Sequence, residues 1–255
     1  MSRISFIAFL SFLFFSCSNE EPTSVQNVSS EEKTMDSLAA KISMARLYHE
    51  NGQPGKALAI ADSMLQKFPG QLDAIGIKAE ILKQQGNEEE ALSLLEKAYA
   101  LQPRDKETAY NLAYEYAEAK SPKVLPLTDT LIKYDKTETV ARAWYIKASY
   151  YKNIGNENEA LRYYDSSMIA DYNFLDTYLD KGKLLLEQKK LEAALRTFAT
   201  GQKLSPGAAD FYFWVAKTQQ AMGNKPDAKM NYERAFALDK SMTEAKAAAD
   251  ALGKK

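Results

Sequence analysis

A period of 34 residues runs through most of the sequence and limits the folds open to it. The period is clearest in five alanines, which are Ala57, Ala91, Ala160, Ala194 and Ala228. Their successive separations are 34, 69, 34 and 34 residues. Glycines and prolines keep the same period, and one extra residue enters whenever an interval crosses the region 106–140. Agreement among three residue types predicts a stack of equivalent units rather than one closed core.

A period of 34 residues resembles the tetratricopeptide repeat, and the resemblance implies a pair of antiparallel helices in each unit. Two helices cross closely only where side chains are small, so the five alanines are assigned to the crossings. Glycine, which adopts the left-handed conformation at little cost, ends the first helix of four units at Gly52, Gly86, Gly155 and Gly223. Proline follows the second helix of three units, at Pro69, Pro103 and Pro206.

Bulky and aromatic residues also recur within the units. The unit that begins at residue 141 contains Trp144, Ala148, Tyr151, Ala160 and Tyr164. This pattern resembles the tetratricopeptide repeat, and the resemblance covers about residues 38–242. It implies an all-α fold, a right-handed α-solenoid of six helix pairs with a C-terminal capping helix. The expected pairs occupy residues 38–71, 72–105, 106–140, 141–174, 175–208 and 209–242, and residues 243–255 are the expected capping helix and tail, because a terminal repeat needs a solvated outer face.

The third unit departs from the pattern. Val124 stands one residue before the place where alanine is expected. Ser121 and Pro122 predict an N-cap and a first helical residue. Pro126 would then lie inside the helix, where the missing N–H costs a backbone hydrogen bond, so a local bend is expected.

The first sixteen residues are typical of a signal peptide. Arg3 precedes an apolar run from Ile4 to Phe15, which is shorter than the roughly 20 residues that span a bilayer. Cys17, the only cysteine, follows this run, and "FFSC" resembles a bacterial lipobox in which Phe14 replaces the usual leucine. The resemblance implies cleavage before Cys17 and its lipidation, with a membrane anchor as the result. An ordinary secretory signal is the alternative.

Residues 17–37 are predicted to form a flexible tether, because they contain few large apolar side chains and no helical stripe. Ser18 resembles the residue after the lipidated cysteine in outer-membrane lipoproteins. Glu20 and Glu21 resemble an acidic pair that directs surface export in some bacteria, with solvated linker charge as the alternative reading. The expected location is the outer membrane, on its periplasmic face or at the cell surface.

Charge and residue counts exclude several classes of function. The chain has 33 basic and 34 acidic residues, whereas nucleic-acid binding needs clustered cations. His49 is the only histidine, so a zinc site of cysteine and histidine ligands is excluded, as is a serine–histidine–aspartate set without His49. We place His49 at the surface. We expect no enzyme activity, no cofactor and no metal.

Repeat arrays bind partners along a concave face that the first helices line. Family positions on this face assign partner binding to Tyr110, Asn111, Tyr114, Arg142, Tyr145, Lys152, Lys183, Phe213 and Lys217. Asn111 lies in "YNLAYEY", which resembles a family motif whose asparagine binds an extended peptide backbone. Packing of the tyrosines between helices is the alternative. Ile42 and Gly76 stand where the family's carboxylate clamp needs polar groups, so that clamp is not reproduced.

These patterns favour an interaction scaffold, anchored by lipid in the cell envelope, that binds a protein or peptide and supports assembly of an outer-membrane complex. A surface lipoprotein that captures glycans is the alternative, since tyrosines can stack on sugars. The sequence identifies neither the partner nor the oligomeric state.

Overall fold

The computed structural model describes residues 24–134 and 139–253, with side chains from residue 37 onward. Within these ranges it contains thirteen α-helices and no strand. The helices are α1 (Ser24–Glu50), α2 (Pro54–Lys67), α3 (Leu72–Gln84), α4 (Glu88–Leu101), α5 (Lys106–Glu118), α6 (Val124–Tyr134), α7 (Val140–Asn153), α8 (Glu157–Ala170), α9 (Leu175–Glu187), α10 (Leu191–Leu204), α11 (Ala209–Ala221), α12 (Lys225–Leu238) and α13 (Thr243–Gly253). Each odd-numbered helix up to α11 is the first helix of a pair, and the next is the second.

The pairs stack in chain order. Each helix packs against the next one along the chain, and first helices also touch the first helix of a neighbouring pair, as α1 touches α3 and α5 touches α7. The buried apolar residues accordingly form a row of clusters along the stack. This arrangement confirms the predicted all-α solenoid, in which each unit is stabilised mainly by its neighbours.

The five periodic alanines are buried at the helix crossings. Ala57, Ala91, Ala160, Ala194 and Ala228 are each at most 1% exposed. They lie one turn into the second helices, facing the first helix of the same pair. A longer side chain there would separate the two backbones, which explains why the residue type is kept at this position.

The first helices are followed by residues in the left-handed backbone conformation, and two of these residues are lysines. Gly52, Gly86, Gly155 and Gly223 have φ between 68° and 81°. Lys120 and Lys189 take the same place in the third and fifth pairs, with φ of 54° and 58°. A side chain with a Cβ costs about 1 kcal/mol or more in this conformation. The turn is therefore set by packing of the pair and not by glycine alone.

The bend predicted at Pro126 assumed that the helix begins at Pro122, and this predicted start is wrong. Ser121, Pro122 and Lys123 precede the helix, and α6 begins at Val124. Pro126 is therefore in the first turn, where an N–H has no intrahelical acceptor and proline is tolerated. Its carbonyl accepts a hydrogen bond from the Thr130 hydroxyl at 2.8 Å.

The predictions for the two ends of the stack have different outcomes. The backbone is helical from Ser24, so a flexible tether over residues 24–37 is wrong. The predicted signal peptide and Cys17 lie outside the described residues. At the other end α13 packs against α12 through the buried Ala245 and Ala249, as expected for a capping helix.

Candidate functional site

Polar contacts join successive first helices along one surface, which we call the first-helix face. Arg46 of α1 pairs with Asp73 of α3 at 2.6 Å, and Lys83 of α3 pairs with Glu115 of α5 at 2.9 Å. Further along, Tyr145 of α7 donates to Asp180 of α9, and Lys217 of α11 pairs with Glu244 of α13 at 3.4 Å. The residue types predicted to contact a partner therefore also hold the repeats together.

Two of the predicted binding residues are buried, which corrects their assignment. Tyr110 is 2% exposed, and its hydroxyl donates to the Thr139 carbonyl at 2.9 Å. Phe213 is 9% exposed and packs edge-on against Trp214 and Tyr232. Both rings fill space between neighbouring helices, so a partner could reach neither without a rearrangement of the stack.

Asn111 and Arg142 belong to one polar network. Arg142 donates to the Asn111 side-chain oxygen at 2.9 Å and to Glu107 at 3.0 Å. Its guanidinium also lies over the Tyr110 ring, 5.0 Å from the ring centroid. Asn111 thus uses its carbonyl oxygen within the protein, and its amide hydrogens remain the groups suited to an acceptor on a peptide backbone.

Tyr145 is half-buried and forms a hydrogen bond with the next helix pair. Its hydroxyl donates to Asp180 Oδ2 at 2.7 Å, and Lys183 lies 3.3 Å from Asp180 Oδ1. Burial, followed by the charge of the Asp180 carboxylate, raises the pKa of Tyr145 above its ordinary value. The hydroxyl therefore stays protonated at neutral pH and acts as a fixed donor within the stack.

The remaining predicted residues are more accessible. Tyr114 is 38% exposed, and the Lys83 ammonium lies 4.8 Å from its ring centroid. Although burial opposes it, the hydrogen bond and charge of Glu115 raise the pKa of Lys83, with Tyr114 adding to the effect. Lys183 and Lys217 both lie over the Trp214 ring, and Lys152 is half-buried. Partner binding by these side chains remains a prediction.

An open cavity of about 930 Å³ lies on the first-helix face at α1, α3 and α5. We call it the N-terminal groove. Its floor is apolar and reaches Leu95 of α4, together with Leu72, Ile77 and Ala79 of α3. Most of its wall is charged, and Asn111 and Tyr114 form one border. Of the nine predicted binding residues, these are the two that line it.

His49 is not at the surface as predicted, because its side chain is only 13% exposed and lines the N-terminal groove. Its Nε2 atom lies 3.1 Å from Glu80 and 3.2 Å from the Gln84 side-chain amide. The half-buried histidine lies within hydrogen-bonding distance of these groups and so joins α1 to α3. These neighbours belong to the next helix pair, and no residue pattern around His49 indicates them.

A second set of ion pairs recurs with the repeat period but was not predicted from the sequence. Lys78, Lys147 and Lys181 are separated by 69 and 34 residues, and each pairs with an aspartate of the preceding helix. Lys78 lies 2.8 Å from Asp62, and Lys147 lies 2.5 Å from Asp129. The period alone could have identified these lysines as structural.

The residues that the structure describes contain neither a metal-binding cluster nor a membrane-spanning helix. Nowhere in them do three or more histidine, cysteine or acidic side chains gather closely enough to hold a metal ion. Among the described helices, none has the length and apolarity needed to cross a membrane.

Comparison with known proteins identifies the repeat. Sequence profiles described as tetratricopeptide repeat match residues 48–107 and 141–168. Both segments coincide with stacked helix pairs of the observed kind. The two matched segments and the observed fold support a tetratricopeptide repeat protein. Such repeats generally serve as binding surfaces for proteins or peptides.

Solved structures of other proteins share the fold. A tetratricopeptide repeat protein from Parabacteroides merdae is 17% identical, with a TM-score of 0.66 over 85% of this chain and 84% of that one. PilW, described as a type IV pilus biogenesis factor, is 19% identical, with a TM-score of 0.66 over 81% of this chain and 95% of its own. At these identities the likeness concerns the fold alone.

A human protein named protein O-mannosyl-transferase TMTC1 is 25% identical over 210 residues, which is 78% of this chain. The match spans only 23% of the length of that relative. The transferase activity in its name belongs to that protein as a whole. The similarity therefore carries no assignment of chemistry to this chain.

Proposed function

We propose that the protein is a lipid-anchored scaffold of the cell envelope that binds a segment of a partner protein on its first-helix face and supports assembly of an outer-membrane complex. The observation that carries the binding role is the N-terminal groove, about 930 Å³ of open space on that face. A cavity of this size, with an apolar floor and polar walls, suits a short stretch of polypeptide.

The envelope role rests on the first residues of the sequence. The apolar run before Cys17 and the "FFSC" motif support lipidation at that residue. A lipoprotein carries more than one acyl chain, which suffices for stable membrane attachment. The fold shared with a pilus biogenesis factor does not bear on location, because that likeness is below 25% identity.

The binding role is tested by filling the groove without changing its charge. Gly76→Tyr places a large side chain in the groove, where no atom lies within 4 Å of the added Cβ. Gly207→Tyr is the matched control, because Gly207 is also open but lies in the loop before α11. Crosslinking in cells followed by pull-down should recover an envelope protein with the wild type and Gly207→Tyr and lose it with Gly76→Tyr.

Thermal melts must show that both variants fold, and Cys17→Ser should move the protein out of the membrane fraction. Recovery of the same protein with Gly76→Tyr would contradict binding in the groove. Retention of a polysaccharide, instead of a protein, that depends on the same glycine would support the glycan alternative. A Cys17→Ser protein that stays in the membrane fraction would overturn the lipid anchor.

A further inference from the structure

The N-terminal groove exists because one repeat position lacks its usual side chain. The fifth residue of each repeat is bulky in five of the six repeats, and its identities in chain order are Ile42, Gly76, Tyr110, Tyr145, Leu179 and Phe213. Tyr110 and Phe213 show what the bulky residue does, since each is buried between helices. Gly76 leaves the corresponding space in the second repeat open.

The surroundings of Gly76 agree with this explanation. A Cβ on Gly76 would meet nothing within 4 Å, whereas one on Gly201 would collide with a neighbouring ring. The space above Gly76 extends between α3 and α5 to the buried Leu95. Glycine in a helix interior is less favourable than alanine, so nothing in the stability of α3 favours it.

The walls of the groove carry a strong excess of negative charge. Its acidic residues are Glu50, Asp73, Glu80, Glu88, Asp105, Glu107 and Glu115, and its basic residues are Arg46 and Lys83. Seven acids against two bases leave a formal charge of −5, in a chain whose total is −1. The two bases are already paired, Arg46 with Asp73 and Lys83 with Glu115.

Some of the acids are also accessible. The side chain of Glu80 is 61% exposed and that of Glu107 is 68% exposed. Arg142 neutralises Glu107 from the edge of the groove, and His49 approaches Glu80. Glu50, on the exposed side of α1, adds a further carboxylate. A ligand with positive charges would therefore meet carboxylates on the α1, α3 and α5 sides.

We infer that the N-terminal groove binds an extended peptide segment in which lysine or arginine residues flank a small or apolar residue. The apolar residue occupies the space above Gly76 and contacts the floor at Leu72 and Leu95. The cations pair with carboxylates of α1 and α3, with Glu80 as the central one. This inference rests on the proposed function, and it adds the chemical class of the partner segment.

Fluorescence anisotropy with the full chain in detergent tests the inference. The probe is a labelled nine-residue peptide of alternating lysine, arginine, alanine and valine, and a second peptide carries glutamate in place of each cation. The basic peptide should bind, more weakly as salt rises, and the acidic peptide should not. Gly76→Tyr should abolish binding.

Charge variants distinguish attraction of the peptide by the groove carboxylates from attraction by acidic residues elsewhere on the protein. Removing both charges in Glu50→Gln/Glu80→Gln should weaken binding of the basic peptide about tenfold, because two exposed ion pairs with the peptide are lost. Glu192→Gln/Glu233→Gln removes two exposed acids from the second helices α10 and α12 and should leave the affinity unchanged.

Equal binding of both peptides, or equal loss in both charge variants, would overturn the inference. Failure of the basic peptide to bind would also overturn it. If the basic peptide fails to bind while Gly76→Tyr releases the envelope partner in cells, the scaffold function stands and the cationic segment is rejected. If neither the peptide nor the partner depends on Gly76, both proposals are rejected together.

Discussion

Phe211→Ala is expected to lower the free energy of unfolding by about 3–5 kcal/mol, the largest effect we predict for a single substitution. Phe211 is 1% exposed in α11 and packs with Phe198 and Tyr178 between the fifth and sixth helix pairs. Truncation leaves a cavity that helices held on both sides cannot close. Because each pair is stabilised by its neighbours, the loss weakens the whole C-terminal part of the stack.

Urea denaturation followed by circular dichroism measures the change. Phe68→Ala is the control, because the same side chain is 41% exposed at the end of α2 and should cost clearly less. A loss below about 1 kcal/mol for Phe211→Ala, which is within the range of ordinary surface changes, would contradict the observed packing.

Gly201→Ala is expected to destabilise the protein by about 1–3 kcal/mol, although alanine is the better helix former. Carbon atoms of the Phe211 ring lie 2.1–2.6 Å from the place where the new Cβ would stand. The ring is held in the core and can move only by displacing its neighbours. The close approach of α10 and α11 thus requires a residue without a side chain.

Replacement of glycine by alanine at a helix position with open space is expected to have the opposite effect on stability. Gly76→Ala in α3 meets no atom within 4 Å and should raise stability by about 0.5–1 kcal/mol. In a Phe211→Ala background the cost of Gly201→Ala should disappear, which a double-mutant cycle would measure as coupling between the two sites. Stabilisation by Gly201→Ala in the wild-type background would show that the contact is absent.

The sequence was sufficient to predict the helix pairs, because the residues that define them act locally. Alanine at a crossing and glycine after a first helix are needed within one pair, so their period is readable without the structure. The left-handed conformation of Lys189 could not be predicted in this way, because a lysine stands there in place of the recurring glycine. The effect of Pro126 could not be predicted either, because it depends on the residue at which the helix begins.

The binding residues were harder to predict because their exposure depends on the next pair. Tyr110 looks like a surface aromatic in the sequence, yet its hydroxyl meets the Thr139 carbonyl across the neighbouring helix pair. His49 was placed at the surface, and contacts with α3 partly bury it. Gly76 could have been recognised by comparing one position across the repeats, but the open space beside it required the structure.

The central claim is that a partner occupies the N-terminal groove of the first-helix face and not the surface of the second helices. Photo-crosslinking in living cells tests this directly, with the photoreactive amino acid placed at position 84 in the groove or at position 192 in α10. Both native side chains, Gln84 and Glu192, are exposed, and Gln84 is not one of the carboxylates assigned to the cations. We predict a crosslinked envelope protein at position 84 and none at position 192. A crosslink at position 192 without one at position 84 would contradict the account.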